Sequence, residues 1–172
     1  MRQINQPVKP VRVPPTRFDH ALDLVAIFLL IMLWVLAIAF FIDAPNKVPT
    51  SFDAAGNPRG WGSPAFYFMM PAIGLFYGVI IFAATYFPQI INMPVALKEN
   101  VVVPQSAMMI RCCRWLNIVG QLMFLFILLQ MAGYRDDSLF LDNSLFITSL
   151  FSQIFLMFAI IIHYCVRISR MK

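Results

Sequence analysis

Charge is scarce in this chain, and the places it avoids matter more than the total. Acidic and basic residues make up 12% of 172 residues against 60% hydrophobic ones, and the mean hydropathy is +0.77. That leaves too little polar surface to cover a soluble globule of this size. Charge is missing altogether from residues 24–42, 64–87 and 145–166, and residues 112–132 carry only Arg114. A helix needs roughly 20 apolar residues to cross a hydrocarbon core about 30 Å thick. All four stretches qualify, so the expected fold class is an all-α integral membrane protein, a four-transmembrane-helix bundle. The first apolar run is too long for a signal peptide and lacks a small-residue cleavage site, so it reads as a retained signal anchor.

Other absences exclude chemistry. The two histidines, His20 and His163, stand near helix ends, with no carboxylate at a catalytic spacing beyond Asp23, which with His20 forms a simple polar turn. No serine, cysteine or lysine has the surroundings of an activated nucleophile. The chain reads as not an enzyme. Its three cysteines, Cys112, Cys113 and Cys165, lack the spacing of a zinc motif and fall where thiols stay reduced, so neither a metal, a cofactor nor a disulfide is expected. No ionisable side chain stands clearly at mid-membrane, which argues against a transport path.

The charges that are present set an orientation. Ten of the thirteen basic residues, Arg2, Lys9, Arg12, Arg17, Lys98, Arg111, Arg114, Arg167, Arg170 and Lys172, fall in the two tails and the segment joining helices two and three. Only Lys47, Arg59 and Arg135 lie on the other side. The positive-inside rule then places both termini in the cytoplasm of a cell whose cytoplasmic (inner) membrane holds the chain. The net charge of +5 is a topology signal of this kind. It suits anionic lipid headgroups and comes with no nucleic-acid motif.

The organisation expected from these runs is a cytoplasmic tail over residues 1–20 and a three-helix membrane domain over residues 21–132. A last part, residues 133–172, holds an outer loop, the fourth helix and a short basic tail. Within the second part, residues 44–63 form a loop too long and too patterned for a plain connector. It combines turn formers with Val48, Phe52 and Trp61. Pro45 and Pro49 keep its first half extended, Gly56-Asn57-Pro58 offers a turn, and Gly60-Trp61-Gly62 sets an indole at interfacial depth. Ser63-Pro64 is a helix start, with Ser as the cap and Pro at the first helical position. An ordered extracytoplasmic lobe follows, with Pro45, Pro49, Phe52, Asp53, Gly56, Trp61 and Gly62 as its candidate binding surface.

Inside the helices the informative residues are small or polar. Gly74 and Gly78 make a small-xxx-small pair that admits another backbone, and Pro71 should kink helix two. Asn117 and Gln121 lie one turn apart on helix three, with Gln130 further out, while helix four carries Thr148, Ser149, Ser152, Gln153 and His163. The expected arrangement is a polar seam in which Asn117 or Gln121 meets the His163 region of helix four.

Two blocks of residues resemble a known family. The first is Pro45…Val48-Pro49-Thr50-Ser51-Phe52-Asp53…Gly56-Asn57-Pro58…Gly60-Trp61-Gly62-Ser63. The second is Asn92-Met93-Pro94, Glu99-Asn100 and Arg111…Arg114-Trp115-Leu116. Together they are similar to a bacterial membrane domain of unknown function that forms the N-terminal part of SdpI-like proteins, which protect cells from a sporulation-delaying toxin. The resemblance spans roughly residues 24–130 and implies the helical fold and a recognition role for the outer loop. Three departures stand out: Ser51 where members carry a histidine, and no acid near Arg59 or lysine near Pro64. Immunity to a toxin is therefore an analogy.

Two functions fit. One is a binding, sensing or immunity-like protein whose loop recognises an extracytoplasmic peptide or protein. The other is a structural accessory subunit whose glycine face docks a membrane-protein partner or a second copy of the chain, with membrane lipid around both.

Overall fold

The computed structural model describes residues 8–91, 96–133 and 142–171. Four helices, α1 (Arg17–Ile42), α2 (Met69–Tyr86), α3 (Val102–Gly133) and α4 (Asn143–Ser169), alternate in direction. Two short strands, β1 (Val48–Phe52) and β2 (Pro58–Gly62), intervene between α1 and α2. All four helical spans are long and apolar enough to cross a membrane, and the chain is a multi-pass membrane protein. The hairpin thus lies at one end of the bundle, opposite the start of α1 and the end of α4.

Two helices begin earlier than the apolar runs predict, for a local reason in one case. The Thr16 hydroxyl accepts the Asp19 amide at 3.3 Å, and the Asp19 carboxylate accepts the Thr16 amide at 2.9 Å. This reciprocal cap satisfies two helix-terminal donors and lets α1 start in a polar turn that a hydropathy reading passes over. α3 likewise extends ten residues beyond its apolar part and buries Gln105 and Ser106 there.

The start of α2 differs from expectation. Ser63 caps a 3-10 turn, Pro64–Phe68, by accepting the Ala65 amide at 3.3 Å, and the α-helix proper begins only at Met69. Pro71 is therefore the third residue of α2. The 3-10 turn runs directly into α2, so Pro71 stands two residues after the change of helix type. The proline expected to kink helix two thus lies close to a change of helix type near the end of the span.

α3 is the hub, with α1, α2 and α4 each packed on it. The core joins Leu29, Leu33 and Ala37 of α1 to Leu125, Leu128 and Met131 of α3, with Tyr67 and Met70 closing it near the hairpin. Ring pairs Phe40–Tyr67, Phe41–Phe68 and Trp34–Phe68, at centroid separations of 6.0, 5.1 and 6.3 Å, draw α1 and the start of α2 together at that end. Outward faces carry exposed Phe28 and Val35 on α1, Phe76 and Ile80 on α2, and Phe151, Phe155 and Phe158 on α4. Such faces suit lipid tails, as apolar as the side chains themselves.

Candidate functional site

The lobe between α1 and α2 is an antiparallel hairpin in which Val48 pairs with Gly62, Pro49 with Trp61, Ser51 with Gly60 and Phe52 with Pro58. Irregularities between Pro49 and Phe52 interrupt the ladder. A strand that carries proline needs such breaks, because proline cannot donate to a ladder. The sheet is a local addition to an otherwise helical chain.

Asp53 builds the turn. One carboxylate oxygen accepts the amides of Ala55 at 2.9 Å and Asn57 at 2.8 Å, and the Asp53 amide donates to the Asn57 carbonyl at 2.9 Å. These donors, the Asn57 backbone foremost, hold the Asp53 carboxyl below the usual carboxylate range. Gly56 completes the turn at φ +84°, a conformation that side chains disfavour. A Cβ there would also lie 3.1 Å from the Cβ of Asn143, at the first turn of α4.

The turn is latched to that helix. Asn143 donates to the Asn57 side-chain oxygen at 2.7 Å, and its own oxygen accepts from the buried Gln130 of α3 at 3.2 Å. Phe52 stacks on buried Phe146 with ring centroids 5.4 Å apart. Asp142 caps α4 through the Ser144 amide and hydroxyl, and these bonds, the hydroxyl's first, keep its carboxyl below the usual range. Elements far apart in sequence thus converge on the hairpin tip.

The seven loop residues consequently divide by role. Pro49 and Gly56 are buried, and Pro45, Phe52 and Gly62 are half-buried, so these five shape the lobe more than they line its surface. Gly62 leaves room for Thr50 and the Phe66 ring, whose nearest carbons would stand 2.7 and 3.1 Å from an added Cβ. Asp53 is exposed but occupied with the turn. Trp61 is 53% exposed and is the large apolar group that the hairpin presents. Arg59 and Ser51, the latter at the position of the missing histidine, are exposed as well.

The polar seam is real but faces another helix. Gln121 donates to the Gly74 carbonyl of α2 at 2.8 Å and to Asn117 at 3.4 Å. Its carboxamide fills the notch left by Gly74 and Gly78, with atoms 2.9 Å from the position of a Cβ on either. The glycines therefore admit a polar side chain from within the chain in place of a second backbone. His163, expected opposite Asn117, is exposed on α4 with its ring against Tyr164. Gln153 is buried, and its Oε1 has no hydrogen-bond partner among the described residues. Spacing along α3 gave the depth of the amides but not the direction they point.

A charged cluster at the opposite end was missed. Arg111 bonds Asp19 at 2.8 Å, and Arg114, itself 7% exposed, reaches Asp23 at 2.9 Å and Asp19 at 3.6 Å. Asp23 thus turns to Arg114, while His20 is exposed. The signal available was two acids four residues apart on α1 facing two arginines three apart on α3. Read as topology markers, the four charges hid their pairing. Arg2, Arg135, Lys172 and the Asn92-Met93-Pro94 triplet lie outside the described residues.

No curated protein and no solved structure matches the chain. Residues 27–75, running from within α1 through the hairpin into α2, match the domain of unknown function DUF1648, the domain found in SdpI-like proteins.

Proposed function

We propose that the chain is a binding or sensing protein whose hairpin offers a preformed surface to an extracytoplasmic peptide or protein. The observation that carries this reading is the division of labour in the hairpin. Its turn is anchored through Asn57 and Phe52 to α4, while Trp61 and Arg59 are left exposed. A recognition loop gains from such anchoring, because a surface already ordered loses less entropy on binding. An exposed tryptophan next to an arginine is also the composition of interface hot spots.

The reading assigns no catalysis. Buried Asp19 and Arg114 and half-buried Asp23 and Arg111 are taken up in ion pairs with one another. The accessory-subunit reading has less support, because Gly74 and Gly78 already pack on Gln121 of the same chain. The basic residues support a cytoplasmic-membrane location with both termini inside.

A photoreactive residue at Trp61 in intact cells tests the reading. Capture of one specific peptide or protein from outside is expected, and labelling of lipid alone would refute it. Phe52, engaged with Phe146, is the poorer position. A cysteine at Ala54, in a background without Cys112, Cys113 and Cys165, should react with an impermeant maleimide from outside while one at Lys9 stays silent. The reverse pattern would invert the orientation.

A further inference from the structure

At the end of the bundle opposite the hairpin, a pit of about 40 Å³ lies between the start of α1 and the early turns of α3. Val13, Pro14 and Thr16 form one wall, and Ala107, Arg111 and Arg114 form the other. The Val11 amide donates to the buried Ser106 hydroxyl at 3.0 Å, and Arg12 lies over the Tyr86 ring at 5.2 Å, so the segment before α1 is fixed across the helix ends. Residues 8–17 carry Lys9, Arg12 and Arg17 and no acid. The pit precedes the charge-free run of residues 24–42, which puts it at headgroup depth.

Arg114 is 7% exposed, yet only part of its guanidinium is matched. Its Nε bonds Asp23 at 2.9 Å, whereas Nη1 stands 3.6 Å from Asp19, beyond hydrogen-bond length, and Nη2 has no hydrogen-bond partner among the described residues. Buried donors left in this way call for an acceptor. Arg111 uses Nε and Nη2 on Asp19 and Thr16 and keeps Nη1. Asp19 is the one acid on the wall, and its oxygens are already met, Oδ1 by Arg111 and Oδ2 by Arg111 and the Thr16 amide and hydroxyl. The pit therefore offers N–H donors and few acceptors. A water would bring protons of its own to that lining, while an anion with several acceptor oxygens uses the donors of both arginines. A single water takes about 10–15 Å³ of such a space, so the pit has room for a small oxyanion.

We propose that this pit receives one phosphate group, gripped by the amino groups of Arg114 and by Nη1 of Arg111. Guanidinium groups match phosphate through paired N–H bonds, and the cations of the adjoining segment, Lys9, Arg12 and Arg17, favour an anion over a neutral guest. Phosphate reaches this depth either as part of a lipid headgroup or as a soluble ion. The inference concerns the end of the bundle away from the hairpin and is independent of the hairpin's role.

The test follows the melting midpoint of the full-length chain in uncharged detergent. Phosphatidylglycerol is titrated against diacylglycerol with the same chains, and inorganic phosphate against chloride at equal ionic strength. A saturable rise with at least one phosphate-bearing probe, and with neither control, is expected. A rise with the lipid alone assigns the phosphate to a headgroup, and a rise with inorganic phosphate shows that a soluble ion suffices. Ala107→Phe fills the pit and leaves every ion pair in place, and Arg114→Lys keeps a cation for Asp23 but lacks the fork. Each should raise the half-saturating concentration about tenfold. Arg170→Gln, at the end of α4 and off the pit wall, should match the wild type. Absence of a saturable rise would overturn the proposal. So would Ala107→Phe and Arg114→Lys both saturating as the wild type does, or an equal loss in Arg170→Gln, since either outcome assigns the effect to the basic rim as a whole.

Discussion

Asn143 holds Asn57 at 2.7 Å across 86 residues of sequence, and with its other end it holds Gln130. One side chain thereby joins the hairpin tip to the first turn of α4 and the last turns of α3. Asn143→Ala should remove both bonds and leave the buried Gln130 amide unmatched, at a cost of about 1–3 kcal/mol. External trypsin should then cut at the exposed Lys47 and Arg59 several-fold faster, with insertion unchanged. Adding Asn57→Ala to Asn143→Ala should change the rate little more, because the two residues share one interaction.

The two aromatic residues of the loop should separate in the same assay. Phe52→Ala removes the ring packed on Phe146 and should increase cleavage. Trp61→Ala removes an exposed ring and should leave the rate as in the wild type. From the sequence, both rings belonged to one candidate binding surface. Equal sensitivity of the two variants would show that Trp61 also holds the lobe.

The hairpin should also respond to acid. The Asp53 carboxyl is held below its ordinary value of 3.8 by the amides of Asn57 and Ala55, so its contribution is complete above that pH. It is lost as pH falls through the lower value of the folded state, when the carboxylate that accepts those amides is protonated. Amide protection factors at Ala55 and Asn57 should therefore hold down to about pH 4 and decline below it. In Asp53→Ala they should be low throughout.

Close approach of α2 to α3 gives a packing prediction. Tyr77 donates to the Leu116 carbonyl at 2.8 Å, and its ring lies over Gly120, where an added Cβ would run into it. Gly120→Ala should destabilise by about 1–3 kcal/mol, as overpacking does. Thermal unfolding in detergent would report the loss. Tyr77→Leu in the same chain should recover part of it by removing the obstructing ring.

At the opposite end, truncating one member of the buried ion cluster should weigh more than exchanging both. Arg114→Ala removes the cation that Asp23 faces, while Asp19 keeps Arg111, and a loss of about 3 kcal/mol is expected. The double exchange Asp23→Asn with Arg114→Gln, which removes both charges, should lose less than the truncation when unfolding is followed in the same detergent.

The helices were legible because length and hydropathy are one-dimensional properties, and a membrane leaves few other solutions for long apolar runs. The order of the 44–63 loop was legible too, through its prolines and glycines and Phe52. Its strands were not, since two prolines and two glycines in strand positions argue against a sheet until cross-chain pairing is known. The latch required Asn57, Gln130 and Asn143 to meet, and none carries a mark at its own place in the sequence. Direction around a helix axis was the other gap: Asn117 and Gln121 had the right depth, but only packing shows that they turn to Gly74 and Gly78. Asp19, Asp23, Arg111 and Arg114 illustrate the same limit, since each charge had a sufficient explanation on its own.

α4 touches the rest of the molecule through α3 along its length, yet its firm polar attachments are at its two extremities. Asn143 grips the hairpin, while at the far end the Ile168 carbonyl accepts from Gln105 at 3.1 Å and the Met171 carbonyl from Lys98 at 2.9 Å. At 27 residues the helix is about 40 Å long, enough to reach from one membrane surface to the other. One helix therefore spans from the hairpin tip at one end of the bundle to the segment around Lys98 at the other.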